Sequence, residues 1–171
     1  LGSSNSLTIT NGGQVFGALG TVGSQTGAIN NSVLVAGTGS IWNNSSNLYV
    51  GSSGSSNSLT IAAGGRVFSA QGNLGFYTNS FSNAVLVTDA GSLWSNSSSL
   101  FVGDYGSSNL LTIAASGQVL DTAGNIGYYS NSSYNTVCVT GAGSLWSNSS
   151  ALYVGYSGSR STLTIANSGR V

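Results

Sequence analysis

The sequence predicts an all-β chain, a right-handed parallel β-helix (β-solenoid) with three short strands in each 26-residue coil and a 52-residue double-coil repeat. Three observations predict it. Leu-Thr-Ile begins at Leu7, Leu59, Leu111 and Leu163, and Trp recurs at Trp42, Trp94 and Trp146, both at a spacing of 52. Halfway between the Leu-Thr-Ile blocks stand Val33-Leu34-Val35, Val85-Leu86-Val87 and Val137-Cys138-Val139, which continue the same apolar, variable, apolar pattern and halve the period to 26. Glycine occupies one fixed place in every coil: Gly13, Gly39, Gly65, Gly91, Gly117, Gly143 and Gly169.

Counting each coil from its first aliphatic residue (7, 33, 59, 85, 111, 137, 163), positions 1 and 3 are aliphatic throughout. That period of two places alternate side chains toward a core, as in a strand. The invariant glycine at position 7 marks a corner, where a positive φ or a close backbone approach excludes a side chain. Position 9 (Val15, Ile41, Val67, Leu93, Val119, Leu145, Val171) and position 16 (Val22, Leu48, Leu74, Leu100, Ile126, Leu152) form two further apolar columns, expected to stack inward without an insertion. Position 10 carries Phe16, Trp42, Phe68, Trp94, Leu120 and Trp146. This column either stacks outward as a binding stripe or folds over a corner as a packing device.

Position 25 reads Asn31, Asn57, Asn83, Asn109, Asn135 and then Ser161, which predicts a structural asparagine ladder of side-chain amides bonded along the axis. Odd and even coils differ regularly: position 2 alternates Thr with Leu34, Leu86 and Cys138, and position 17 alternates Gly with Tyr49, Phe101 and Tyr153. Cys138 therefore stands in for a leucine, with no basic neighbour in sequence to activate it. One coil cannot bury its own inner face, whereas stacking coils at about 4.8 Å builds one continuous core. Residues 1–171 form a single solenoid segment, which begins and stops in mid-pattern and is expected to be part of a longer repeat protein.

Composition narrows function. Of the 171 residues 4% are charged and 40% hydrophobic, and His, Met and Pro are absent. Arg66, Arg160 and Arg170 balance Asp89, Asp104 and Asp121, so no electrostatic footprint for nucleic acid exists. No apolar run approaches the roughly 18 residues of a membrane helix. With neither His nor Glu, and with the three Asp at unrelated coil positions, the sequence offers no triad, zinc site or glycosidase pair. A calcium roll would need a periodic Asp. Gly37-Thr38-Gly39 and Gly141-Ala142-Gly143 sit at a repeated corner without a following helix, so they are turns rather than phosphate loops. An ice-binding face is broken by Leu or Cys in alternate coils. Glycosylation tripeptides begin at Asn30, Asn43, Asn44, Asn96, Asn131 and Asn148, a frequency that Ser/Asn-rich composition produces unaided. No enzyme activity, cofactor or metal is expected.

The string Leu100-Phe101-Val102-Gly103-Asp104-Tyr105-Gly106-Ser107-Ser108-Asn109-Leu110-Leu111-Thr112-Ile113, followed by Gly117-Gln118-Val119, resembles the repeat of bacterial autotransporter (type V secretion) passenger regions and PEP-CTERM-associated surface proteins. The match recurs from Leu48 to Val67 and from Leu152 to Val171, and the Gly-Ser-Leu-Trp blocks resemble the same family. The resemblance implies an extracellular or bacterial cell-surface protein, a stalk, adhesin or matrix component, and supplies no functional residues. Expected partners are other copies of the chain, end to end or laterally, or host and surface glycans or proteins. In the alternative reading the chain is a filament or sheath subunit, or a carbohydrate-binding module using Trp42, Trp94, Trp146, Tyr49, Phe101 and Tyr153 as platforms for sugar rings.

Overall fold

The computed structural model describes residues 2–171, which form seventeen strands and no helix. Coil one holds β1 (Ser6–Thr10), β2 (Gln14–Gly17) and β3 (Gly20–Val22); coil two holds β4 (Ser32–Ala36), β5 (Ile41–Asn44) and β6 (Leu48–Val50). Coil three holds β7 (Ser58–Ala62), β8 (Arg66–Ser69) and β9 (Gly72–Leu74), and coil four β10 (Ala84–Thr88), β11 (Leu93–Asn96) and β12 (Leu100–Val102). In coils five and six the second and third strands merge across their bend, giving β13 (Leu110–Ala114) with β14 (Gln118–Ile126), and β15 (Thr136–Thr140) with β16 (Leu145–Val154); β17 (Thr162–Ala166) opens coil seven.

The first strands make a 7-stranded sheet in the order β1-β4-β7-β10-β13-β15-β17, and the others form a 10-stranded sheet. All pairings are parallel, with each strand bonded to its counterparts one coil away, so the chain is a parallel β-solenoid. Inward residues at positions 1 and 3, such as Val35, Ile61, Val87, Ile113 and Val139, have no exposure at all. Each such side chain gains about 1.5–3 kcal/mol by leaving water, and the core is one cluster along the whole stack.

The 26-residue step holds in the first sheet, where Leu7 pairs Val33 and Val33 pairs Leu59. Beyond it the columns differ from the expected ones. Val15 pairs Trp42, a step of 27, and Val22 pairs Val50, a step of 28. Even coils thus place one more residue before each of these two strands and two fewer in the loop back to the first sheet. The total stays constant while the register shifts. The inward second column is therefore Val15, Trp42, Val67, Trp94, Val119 and Trp146, whereas Ile41, Leu93 and Leu145 pair with the polar Gln14, Arg66 and Gln118 at the surface.

The corner glycines satisfy both expected reasons, in alternate coils. Gly39, Gly91 and Gly143 adopt φ of 82–84°, in the left-handed region. Gly65, Gly117 and Gly169 have ordinary φ, but a Cβ there would strike the carbonyl of Val35, Val87 or Val139 in the coil below. In these odd coils the left-handed residues come earlier: Asn11 and Gly12, Ala63 and Gly64, Ala115 and Ser116. Two consecutive positive φ values make a tight turn closed by bonds such as Gly13 N–H to the Thr10 carbonyl at 2.9 Å.

Candidate functional site

The asparagine corner is built by a left-handed residue in each coil: Ser4, Asn30, Ser56, Ser82, Ser108, Tyr134 and Arg160 all have φ of 55–60°. The next residue is an asparagine in every coil but the last, where Ser161 stands. Asn5, Asn31, Asn57, Asn83 and Asn109 each donate Nδ2–H to Oδ1 of the next asparagine at 2.8–3.2 Å, ending on Asn135. The same Oδ1 accepts the backbone N–H of the asparagine before it, and Nδ2 also donates to a carbonyl, as Asn57 does to Ala28 at 3.1 Å. Each interior amide therefore meets two donors and two acceptors, which a buried amide requires.

Trp42, Trp94 and Trp146 are not an exposed stripe. Trp94 and Trp146 have no exposure and Trp42 has 6%, because the register shift rotates position 10 of even coils onto the inner face. Space for the indoles comes from Gly20, Gly72 and Gly124. A Cβ on Gly72 would lie 2.7 Å from Trp94 Cζ2 and 2.8 Å from both Asn96 Oδ1 and Leu100 Cδ1. The 52-residue recurrence of these glycines was the readable signal for an inward Trp.

A second polar column runs beside the indoles: Gly17 pairs Asn44, Ser69 pairs Asn96, and Asp121 pairs Asn148. Ser69 Oγ donates to Asn96 Oδ1 at 2.6 Å, while the buried Trp94 Nε1 has no acceptor. One double coil later Trp146 Nε1 donates to Asp121 Oδ2 at 2.7 Å, while Oδ1 of Asp121 and Oδ1 of Asn148 are both buried without a donor. Burial pushes the Asp121 carboxyl from 3.8 to about 6, with the Trp146 bond opposing the shift. Asn44 and Asn96 are also buried, so two of the glycosylation tripeptides present no accessible amide in the folded chain.

The outward aromatics lie where the third strands turn. Tyr49 and Phe101 are half-buried there and Tyr153 is exposed. The residues that complete this surface were missed in the sequence: Phe76, Tyr77, Tyr105, Tyr128, Tyr129 and Tyr156. Their signal is an aromatic within two residues after each left-handed Gly75, Gly103, Gly127 and Gly155. In coils one and two the equivalent places are Ser24, Gln25, Ser52 and Ser53, as the bonds Tyr77 N–H to Ser52 O and Tyr105 N–H to Phe76 O define them. The loop aromatics thus begin in coil three, with Tyr49 of coil two meeting the first of them. Tyr105 stacks on Tyr129 (centroids 4.0 Å, planes 14° apart) and Tyr128 on Tyr156 (4.8 Å, 15°), while Tyr49–Phe76 and Phe101–Tyr128 meet edge to face. Rings stacked this way cover one another's faces and turn edges and hydroxyls to solvent.

Asp104 lies in the same ridge, 6% exposed, and desolvation pushes its carboxyl up to about 6. Burial, the Tyr156 and Tyr129 hydroxyls and then the Asp104 charge raise Tyr128 above its usual value; Tyr129 is raised first by the Tyr105 hydroxyl. Asp89, by contrast, is exposed and accepts the Ala63 N–H at 3.0 Å across a turn. Among the described residues no three His, Cys, Asp or Glu side chains gather to hold a metal. One cavity opens at the end of the stack over Val22, Val33 and Trp42, and another lies between loops beside Ile29 and Phe81; neither is lined by an ionisable side chain. No family model, curated protein or solved structure matches the chain.

Proposed function

We propose that the chain is a non-catalytic structural solenoid of an extracellular or bacterial cell-surface protein, serving as a stalk, adhesin passenger or matrix component. The observation that carries this reading is the Asn5 to Asn135 ladder, in which the amide at one corner of each coil is committed to bonding the neighbouring coils. Such a chain gains length and stiffness by repetition. The likeness of its repeat to autotransporter passengers and PEP-CTERM surface proteins supports export. Nearly uncharged polar faces favour lateral contact with other copies, since little charge opposes association.

The exposed ridge of Tyr77, Tyr129, Tyr153 and Tyr156 favours a second reading, in which it contacts a partner or glycan. Electron microscopy of the native assembly tests the first reading: isolated stalks or ordered fibres with coils along their axis are expected, and a compact body with the solenoid buried inside it would overturn it. A glycan array tests the second. Glycan binding that disappears in Tyr156→Ser with an unchanged circular dichroism spectrum would make the chain a carbohydrate-binding module.

A further inference from the structure

We propose that the ridge is an oxidative modification site, at which Tyr105 and Tyr129, and then Tyr128 and Tyr156, couple ring to ring and staple neighbouring coils covalently. Phenol coupling needs two rings in contact, access for a one-electron oxidant, a proton acceptor and no better reductant at the same surface. The Tyr105–Tyr129 centroids are 4.0 Å apart and those of Tyr128–Tyr156 4.8 Å. Tyr129 is 40% exposed and Tyr156 58%, which leaves one ring of each pair free to turn out of the stack as the bond forms.

Competing reductants lie elsewhere. The chain has no Met, the three indoles are inside the core, and Cys138 is on β15 in the first sheet. Asp104 is the base nearest at hand: its carbonyl accepts the Tyr129 N–H at 3.0 Å, which sets it beside both pairs, and its desolvated carboxylate holds a proton more firmly than an ordinary Asp.

The chemistry balances with a haem peroxidase and hydrogen peroxide as oxidant. Each phenol gives up one electron to the oxidant and its hydroxyl proton to Asp104 or to water. The two phenoxyl radicals join ortho carbon to ortho carbon, and the displaced ring hydrogens move to the oxygens to restore both phenols. The peroxide takes the two electrons and two protons and leaves as two waters. The inference is independent of whether the solenoid serves as a stalk or binds glycans.

The test treats the dilute folded chain with peroxidase and hydrogen peroxide and follows dityrosine fluorescence, intact mass and cross-linked peptides. The expected product is a monomer on a denaturing gel, lighter by two hydrogens for each link formed, with residue 105 joined to residue 129 and residue 128 to residue 156. Tyr129→Phe abolishes the first link and spares the one between residues 128 and 156. Asp104→Asn slows coupling several-fold with an unchanged circular dichroism spectrum, and added acetate restores the rate, which a merely structural role would not allow. Coupling that yields only covalent dimers, or no loss of hydrogen under conditions that couple a tyrosine peptide, would overturn the proposal.

Discussion

Two polar columns run through the same interior, and they differ in completeness. The asparagine ladder repeats every 26 residues with one side-chain type, and each interior amide is bonded on both sides. The column of Gly17, Asn44, Ser69, Asn96, Asp121 and Asn148 alternates between coils, and atoms are stranded along it: Asn44 Oδ1, Trp94 Nε1, Asn96 Nδ2, Asp121 Oδ1 and Asn148 Oδ1. A ladder of identical amides is self-complementary, because each offers above what it needs below. An alternating column must match two different side chains at every step, and a change in one strands the other. Buried polar groups without partners each cost about 1–3 kcal/mol, so the first column stabilises the stack and the second taxes it.

The largest effect that would separate the columns is at Asn83. Asn83→Ala removes the acceptor for the Asn57 N–H and Nδ2–H (2.9 and 3.0 Å) and the donor to Asn109 Oδ1 and the Gly54 carbonyl (both 3.2 Å). The expected loss is ~3–5 kcal/mol, read by urea unfolding. A loss below about 1 kcal/mol would mean that water replaces the amide and that the ladder is not what holds this corner.

Next in size is the titration of the second column. The folded carboxyl of Asp121 stands at about 6 against 3.8 for the free side chain, so the folded state binds the proton more tightly. Stability is therefore highest below about pH 4 and falls as pH rises to about 6, beyond which it levels off; Asp104 adds a change of the same sign in the same window. The Asp121 contribution is at most ~3 kcal/mol. Asp121 pairs Asn148 in register, and a proton on its unpartnered Oδ1 is expected to serve Asn148 Oδ1 as Ser69 serves Asn96. Asp121→Asn keeps the acceptor for Trp146 and carries its own donor at every pH. It is expected to match the parent at pH 4 and exceed it at pH 8. A carboxyl carbon titration placing Asp121 near 3.8 would instead mean that Asn148 turns its Nδ2–H toward an ionised carboxylate.

The smallest effect tests the ladder's supports. Ser80 Oγ donates to the Gly54 carbonyl and accepts from Asn83 Nδ2, both at 3.0 Å, whereas coil one has Ala28 in this place and its ladder is intact. Ser80→Ala is expected to lower stability by ~1 kcal/mol by thermal unfolding. A loss as large as that of Asn83→Ala would make the hydroxyl an equal member of the ladder.

How far each column was legible follows from its period. The ladder asparagines stand next to the first sheet, where the step is 26, so simple counting aligns them. The second and third strands are shifted by compensating changes inside coils of equal length, and counting from the first strand misplaces Trp42, Trp94 and Trp146 by one residue. One residue turns a side chain to the opposite face of a strand, so this small error converts buried indoles into an apparent surface stripe. Gly20, Gly72 and Gly124 held the correction, because a glycine at each 52-residue step leaves the volume that an inward Trp fills. The aromatic ridge escaped for another reason. Beyond the strand residues Tyr49, Phe101 and Tyr153, its rings come from loops, whose placement depends on the left-handed glycines before them rather than on a strand period.

By itself, then, the sequence determined the parallel stack, the first sheet's register and the asparagine corner. Each of these follows from a repeat of constant length, since identical coils bond best to their own copies. Tertiary structure alone decided which face the indoles occupy, which polar atoms are stranded beside them and which tyrosines touch. Those outcomes depend on how each coil divides its residues among three corners, and neighbouring coils set that division by packing volume and backbone pairing.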